Sequence, residues 1–190
     1  AMNVALKSIL DPGDEVVLSA YSCVVVTRAI TILGARPEFV DIDPATFNTP
    51  VQGVLDAIGP ATRLVLLQHT YGQPMPVEPI LSYCRPRGVT VVEDACHAFG
   101  ATVDGRPAGT VGDAGFFSTQ WNKPFSTGFG GFAAFRNPEL AARVREVMRA
   151  ARVPPPTLAL QTRIQLLAHA ALVTPRTHGL AQGAYRLLYS

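Results

Sequence analysis

Four side chains in the middle of the sequence have types and spacing that could carry group-transfer chemistry: Asp94, which forms an acidic pair with Glu93 at the end of a predicted strand, His97, Ser118 and Lys123. A lysine amine that is neutral near pH 7 can attack a carbonyl carbon. A carboxylate that faces a pyridine nitrogen keeps that nitrogen protonated, which makes the ring an electron sink. A serine hydroxyl and backbone N–H groups can hold a phosphate. These residue types suit an enzyme that uses pyridoxal phosphate, although one lysine near glycines leaves other interpretations open.

Alternating strands and helices are predicted to position these side chains. Short aliphatic and β-branched runs bounded by turn residues predict buried strands at 16–18, 38–40, 64–67, 89–92, 114–119 and 132–136. Helices are predicted at about 24–33, 50–58, 77–87 and 138–150. The alternation predicts a mainly parallel sheet with helices on both faces, which is a three-layer α/β/α sandwich. Such sheets bind ligands at the carboxyl ends of their strands, near Asp94 and Ser118.

The sequence changes character after residue 150. Three consecutive prolines, 154–156, form a stiff break, and residues 157–189 are rich in leucine and alanine with scattered arginines. This segment is predicted to form one or two amphipathic helices whose apolar face packs on the domain or on a second subunit. We therefore expect one domain at 1–150 and a helical tail at 151–190.

Composition favours a cytoplasmic α/β protein over several other classes. Of the 190 residues, 48% are apolar and 16% are charged, which suits a buried core. The net charge of +2 is too small to indicate a nucleic-acid partner. Cys23, Cys84 and Cys96 cannot all pair and have no CxxC spacing, which predicts a reduced chain. No apolar run approaches the roughly 18 residues of a spanning helix, so no membrane association is expected.

Four motifs and one lysine occur in an order that resembles a known enzyme family. The motifs are Pro12-Gly13-Asp14-Glu15-Val16, Tyr71-Gly72-Gln73-Pro74, Glu93-Asp94-Ala95-Cys96-His97-Ala98 and Gly112-Asp113-Ala114-Gly115-Phe116-Phe117-Ser118. Lys123 follows the last of these after five residues. The set resembles the sugar aminotransferases of the DegT/DnrJ/EryC1/StrS family over about residues 5–150. That resemblance implies a pyridoxal-phosphate transferase of fold type I, in which the large domain binds the cofactor and the substrate is a keto sugar nucleotide.

The resemblance implies a role for each clustered side chain. Lys123 forms the Schiff base with pyridoxal phosphate and then moves a proton between substrate and cofactor. Asp94 pairs with the protonated pyridine nitrogen, His97 lies beside the phenolic oxygen, and Ser118 contacts the phosphate. His69, at the end of the third strand, is expected to shape the substrate loop that follows it.

The resemblance also implies a cover for the cofactor ring, and partners. The segment 20–23 corresponds to the family's ring-covering residues, with Cys23 at the aromatic position and Tyr21 two residues earlier. Both remain candidates. A homodimer and glutamate as amino donor are expected. Family members are considerably longer, so the chain is expected to be truncated at both ends, with the helical tail in place of the family's small domain.

An alternative from another class is a catalytically weak or inactive fragment or relic that acts as a cofactor-binding or dimerisation module. The expected truncations favour this alternative, because closure over the substrate supplies much of an enzyme's transition-state binding. Lys123 argues against it, since a drifting site has no reason to keep a lysine in register with Asp94 and Ser118.

Two other cofactor chemistries fit the sequence less well. Sugar dehydratases of the same family carry histidine in place of the lysine, so Lys123 disfavours a dehydratase. A nicotinamide-binding protein would show GxGxxG between a strand and a helix. The glycines at 128–131 lie instead between two strand candidates.

Overall fold

The described part of the chain contains eight strands, six of which build one central sheet. In the computed structural model, residues 2–121, 123–128, 130–151, 155–172, 174, 177 and 179 are described. The six strands of the central sheet are β1 Glu15–Ser19, β2 Arg36–Val40, β3 Thr62–Gln68, β4 Thr90–Asp94, β7 Ala114–Ser118 and β8 Gly131–Phe135. A small antiparallel ribbon, β5 Thr102–Val103 and β6 Arg106–Pro107, lies between β4 and β7 in the sequence and was not predicted.

The central sheet is parallel except at one edge. Its spatial order is β2-β1-β3-β4-β7-β8, and only β8 runs antiparallel to its neighbour. β1 has β2 on one side and β3 on the other, so the order reverses around β1. In open α/β sheets the loops diverge at such a reversal and leave a crevice for ligands at the carboxyl ends of the strands.

Helices cover both faces of the sheet, as the sequence predicted. The covering helices are α1 Met2–Lys7, α2 Val24–Thr31, α3 Val51–Ala57, α4 Glu78–Cys84 and α5 Pro138–Arg149, and α6 Pro156–Leu172 follows them in the chain. Single turns of 3₁₀ helix occur at Thr70–Gly72 and Arg85–Arg87. α5 begins at the cap Asn137, whose side chain accepts hydrogen bonds from the N–H groups of Glu139 and Leu140.

Two hydrophobic clusters, one on each face, fix the sheet between its helices. Successive residues of β1 divide between them, because side chains alternate along a strand: Val16 and Leu18 join one cluster and Val17 the other. The first cluster contains buried side chains of α1, α2 and α5, and the second those of α3 and α4. Each fully buried aliphatic side chain contributes about 1.5–3 kcal/mol. The predicted three-layer α/β/α sandwich is therefore confirmed.

The predicted helical tail is present as α6, which begins at the last of the three prolines. Leu160, Ile164 and Leu167 share one side of α6 by their spacing and are exposed. Leu166 is half-buried, and His169 contacts Trp121 with ring centroids 5.1 Å apart. Most of the tail beyond α6 lies outside the described residues. Within the described part of the chain, no helix has both the length and the apolar character needed to cross a membrane.

Candidate active site

A cavity of about 570 Å³ opens at the carboxyl ends of the parallel strands. Its wall is built from the segments that follow β1, β3, β4 and β7, so it occupies the crevice expected where the strand order reverses. The structure brings together every side chain that the sequence placed in the site. The cavity is lined by Tyr21, Cys23, Asp94, His97, Ser118 and Lys123, among others.

The loop between β7 and β8 positions Lys123. The Thr119 N–H donates to the Gly130 carbonyl, and the Thr127 N–H donates to the Thr119 carbonyl, so both ends of the loop are tied together. The hydroxyls of Thr119 and Thr127 are also hydrogen-bonded, at 2.7 Å. The Lys123 N–H donates to the Gln120 carbonyl, which closes a turn at the lysine itself. The loop is thus a bonded frame that aims Lys123 into the cavity beside Ser118, the last residue of β7.

The amine of Lys123 lies against the imidazole of His97. Lys123 Nζ is 3.0 Å from His97 Nε2. Partial burial and the positive charge of Lys123 lower the pKa of His97, and the Asp94 carboxylate opposes this to a smaller extent. With a lowered pKa the imidazole is neutral at pH 7, so its Nε2 lone pair can accept a hydrogen bond from Lys123 Nζ. The contact therefore places a hydrogen-bond acceptor beside the lysine amine.

Asp94 presents a carboxylate at the end of β4, with only 7% of the residue exposed. Its Oδ1 atom accepts a hydrogen bond from the Cys96 N–H at 3.0 Å, so the turn after the strand orients the acid. Burial, and then the charge of Asp94, raise the pKa of the Cys96 thiol far above its ordinary value. A thiol that stays protonated is a poor nucleophile. Cys96 is therefore unsuited to nucleophilic attack.

A second carboxylate, Glu93, is fully buried beneath the site, and the sequence did not reveal its function. Its Oε1 atom accepts hydrogen bonds from the N–H groups of Val111 and Gly112, both at 2.7 Å. Its Oε2 atom accepts from the Gly109 N–H and from His69 Nε2, both at 2.8 Å. Burial alone would raise the pKa of Glu93, but the hydrogen bonds from His69, Gly112 and Gly109 outweigh it and hold that pKa below its usual range. As an anion, Glu93 therefore ties two segments to β4: residues 109–112 and the turn after β3.

His69 completes this buried network as a neutral ring. Its Nδ1 atom accepts a hydrogen bond from the Met75 N–H at 3.2 Å, which places the ring proton on Nε2 and directs it at Glu93. The contact is thus a charge-assisted hydrogen bond from a neutral imidazole to a carboxylate, with Nε2 and Oε2 2.8 Å apart. His69 is completely buried and links β3 to the loop that follows it. The expectation that His69 shapes this loop agrees with these bonds.

The turn after β3 places Tyr71 at the mouth of the cavity, which the sequence did not predict. Tyr71 has φ +53°, in the left-handed region that residues other than glycine rarely adopt. Its hydroxyl lies 2.5 Å from that of Tyr21. Its ring is parallel to the His97 imidazole within 5°, with centroids 6.2 Å apart. The glycine that follows, Gly72, indicated a tight turn but not the direction of the tyrosine.

The residues of the cavity fit pyridoxal phosphate. Three suitable groups line the same cavity: an amine with a hydrogen-bond acceptor beside it, a buried acid at a strand end and a serine hydroxyl. They suit, in that order, the aldehyde, the pyridine nitrogen and the phosphate of the cofactor. Within the described part of the chain, no cluster of histidine, cysteine and carboxylate side chains could hold a metal ion.

Comparison with known proteins agrees with this chemistry. The profile of the DegT/DnrJ/EryC1/StrS aminotransferase family matches residues 1–161. The chain is 43% identical over 138 residues to dTDP-4-dehydro-2,3,6-trideoxy-D-glucose 4-aminotransferase of Saccharopolyspora spinosa, covering 73% of this chain and 36% of that protein. It is 43% identical to the crystal structure of the aminotransferase TlmJ from Streptoalloteichus hindustanus, with a TM-score of 0.72, over 76% of this chain and 40% of that one.

A third similar protein carries the cofactor. A GDP-4-keto-6-deoxymannose-3-dehydratase, solved with a trapped PLP-glutamate geminal diamine, is 27% identical with a TM-score of 0.70, over 76% of this chain and 39% of that one. The chain spans about two fifths of the length of each of these relatives. The cofactor is pyridoxal phosphate, and the chain belongs to the DegT/DnrJ/EryC1/StrS aminotransferase family.

Proposed function

We propose that this chain is the cofactor-binding part of an aminotransferase that moves an amino group, with glutamate as donor, to a keto sugar nucleotide. The observation that carries the proposal is the placement of Lys123, with Nζ 3.0 Å from His97 Nε2, in the cavity that Asp94 and Ser118 also line. The similarity to aminotransferases of nucleotide-linked sugars supports the substrate class. The proposal includes a cytoplasmic homodimer, and the three free cysteines, one of them exposed, suit a reducing compartment.

Each side chain of the cavity has a defined task in this proposal. Pyridoxal phosphate, when bound, supplies an aldehyde that carries the amino group and a ring that stabilises a carbanion. Lys123 Nζ would hold the cofactor and would carry the proton to and from the substrate carbon. Asp94 would keep a proton on the pyridine nitrogen, and the Ser118 hydroxyl would donate to the phosphate. His97 would lie on the side of the phenolic oxygen.

Tyr21 and Cys23 lie at the end of β1, where the resemblance locates the cover of the cofactor ring. Both line the cavity, and both are exposed. Of the two, only Tyr21 has an aromatic ring, and that ring already contacts Tyr71 at a centroid distance of 6.2 Å. We therefore assign the aromatic contact with the cofactor ring to Tyr21. Cys23 is the small residue at the N-cap position of α2.

The proposal is tested by the chain's own two lysines, Lys7 and Lys123. Purified protein is mixed with pyridoxal phosphate, reduced with borohydride and digested, and the peptide that carries the cofactor's mass is identified. We expect the mass on Lys123 and not on the exposed Lys7. Glutamate should then convert the unreduced, loaded chain to its amino form, and a keto sugar nucleotide should convert it back. Covalent loading without amino transfer would leave a cofactor-binding module as the function of this chain.

A pH dependence of Lys123 follows from its contact with His97. The pKa of His97 is lowered from its ordinary value of 6.5, so at pH 7 the ring is neutral and can take the proton that Lys123 Nζ gives up as it forms a bond to carbon; the ring loses this capacity as the pH falls through the lowered pKa. We expect an amine-reactive reagent, trinitrobenzenesulfonate, to label Lys123 faster than Lys7 at pH 7, with the advantage declining at acid pH. His97→Gln should lower the Lys123 rate at pH 7 by roughly tenfold to 10²-fold, the smaller end of general-base effects, and flatten its acid limb.

The two labelling rates are read from the same digest, so Lys7 reports any change in reagent or protein concentration. Equal pH profiles for Lys123 in the unmodified chain and in His97→Gln would show that the imidazole does not take the lysine proton. An equal change at Lys7 and Lys123 would trace the effect to the fold as a whole and not to the contact.

A further inference from the structure

Three aromatic side chains form an exposed cluster near Lys123. Only one of them, Tyr21, has a role in the proposed function. Tyr21, Phe47 and Tyr71, here the aromatic wall, have ring centroids 5.6–6.2 Å apart. They are 46%, 39% and 61% exposed, respectively. Aromatic rings in a fold normally bury their apolar faces, because each contributes a large area to the core. Three adjacent exposed rings at a cavity mouth therefore indicate a binding surface.

The backbone holds this wall in place at an energetic cost. Tyr71 and Phe47 both have left-handed φ angles, +53° and +58°. Each costs roughly 1 kcal/mol or more for a residue with a side chain, and such strain persists where the surroundings determine it. The surroundings here are the buried side chain of Asn48, whose Oδ1 accepts from the Thr70 N–H at 2.9 Å and whose Nδ2 donates to the Gln73 carbonyl at 3.1 Å.

The position of the wall points toward the substrate. Tyr21 follows β1 and Tyr71 follows β3, so the two rings flank the reversal of strand order where α/β sheets bind ligands. Tyr71 also lines a shallow extension of the cavity together with His97, Lys123 and Pro124. A group bound against Tyr71 would therefore lie next to the reacting amine.

The chemistry of the wall selects one part of a nucleotide sugar. Its three side chains are uncharged, whereas a diphosphate would be recognised by arginine or lysine. In the pair of phenols, 2.5 Å apart, one hydroxyl donates to the other, which leaves one O–H and several lone pairs for a ligand. An apolar ring face bordered by hydroxyls complements a neutral pyranose, which has C–H faces and hydroxyls at its edge.

We infer that Tyr71, braced by Tyr21 and Phe47, contacts the sugar ring of the substrate. The inference rests on the proposed aminotransferase function and adds to it the residue that reads the sugar. Asn48 is a positioning residue in this arrangement, since it acts on the substrate only through the turn that carries Tyr71.

The test compares a nucleotide sugar with the same nucleotide lacking its sugar. The cofactor-loaded chain is titrated calorimetrically with dTDP-glucose, UDP-glucose and GDP-glucose, and separately with dTDP, UDP and GDP. Tyr71→Phe keeps the ring and removes the hydroxyl. Tyr71→Asn removes the ring while a residue that tolerates left-handed backbone remains. We expect Tyr71→Phe to weaken binding of the preferred nucleotide sugar about fivefold to tenfold, as for one lost hydrogen bond, and Tyr71→Asn to weaken it further.

Affinity for the diphosphates without sugar should stay unchanged in both variants, and so should the visible band of the bound cofactor. Weakening of nucleotide sugar and nucleotide alike, or of neither, would overturn the assignment of Tyr71 while leaving the proposed function intact. An unmodified chain that captures the cofactor on Lys123 but binds none of the six nucleotides would instead overturn the proposed substrate class, and the role of Tyr71 with it.

Discussion

Lys123→Ala should abolish the covalent capture of pyridoxal phosphate, whereas Lys7→Ala should leave it unchanged. The reason is positional: Lys7 is exposed at the end of α1, while Lys123 is the one lysine that lines the cavity. Removing a covalent nucleophile lowers turnover by far more than removing an ordinary binding contact, and we expect a loss on the order of 10³-fold or greater in any amino transfer. The measurement is the visible band of the loaded protein and the cofactor mass retained after borohydride.

Lys123→Arg separates the nucleophile from its charge. A guanidinium keeps the positive charge beside His97 but cannot be deprotonated in a protein. We expect this variant to fail in covalent capture as completely as Lys123→Ala, although the variant protein can still bind pyridoxal phosphate noncovalently. Retention of the cofactor's mass by Lys123→Ala after reduction, or its transfer to Lys7, would remove the basis for every role assigned to the cavity.

The strands and the residues at their ends could be predicted from the sequence because both follow from local rules. Aliphatic runs bounded by turn residues located all six strands of the main sheet within a few residues. Parallel strands place their carboxyl ends at one edge, so Asp94 and Ser118, which end β4 and β7, had to lie near each other. The motif order then brought Lys123 to the same edge.

The buried network could not be predicted, because its meaning depends on tertiary contacts. Glu93 and Asp94 read as one acidic pair in the sequence, yet adjacent strand residues point to opposite faces. Asp94 therefore meets the cavity while Glu93 points into the layer beneath it, toward the N–H groups of residues 109–112. Those partners are 16 to 19 residues away, and nothing in their types marks them as donors, since every residue except proline has an N–H group.

The exposed aromatic wall escaped prediction for a related reason. Tyr71 owes its left-handed conformation to Asn48, which lies 22 residues before Thr70 in the sequence. An asparagine in a surface turn ordinarily caps its own backbone, and only the fold brings this one to a distant loop. The residue types at the site were therefore readable from the sequence, but the supports that orient them were not.

Glu93→Ala should destabilise the fold by about 3–5 kcal/mol, because it removes the acceptor of four buried hydrogen bonds at once. The substitution leaves the His69 Nε2–H and the N–H groups of Gly109, Val111 and Gly112 without their acceptor in a site closed to water. A buried donor that loses its acceptor costs about 1–3 kcal/mol. Urea denaturation measures the free energy of unfolding. Glu146→Ala is the matched control, because its ion pair with Arg149 is exposed on α5 and should contribute less than about 1 kcal/mol.

The same network predicts a pH dependence of defined sign. The pKa of Glu93 is lower in the folded chain than its ordinary value of 4.5, so the unfolded chain binds the proton more readily. The stabilisation from Glu93 is therefore fully present above about pH 4.5 and is lost as the pH falls through the lower, folded pKa. Glu93→Gln keeps the shape of the side chain but cannot lose a proton, and its amide N–H₂ would face donors. We expect this variant to be less stable at pH 7 and to lose less stability on acidification. The control for this variant is Glu146→Gln on the exposed face of α5. If Glu93→Gln matched Glu146→Gln in both stability at pH 7 and loss of stability in acid, the buried carboxylate would not stabilise the segments that it bonds beneath the site.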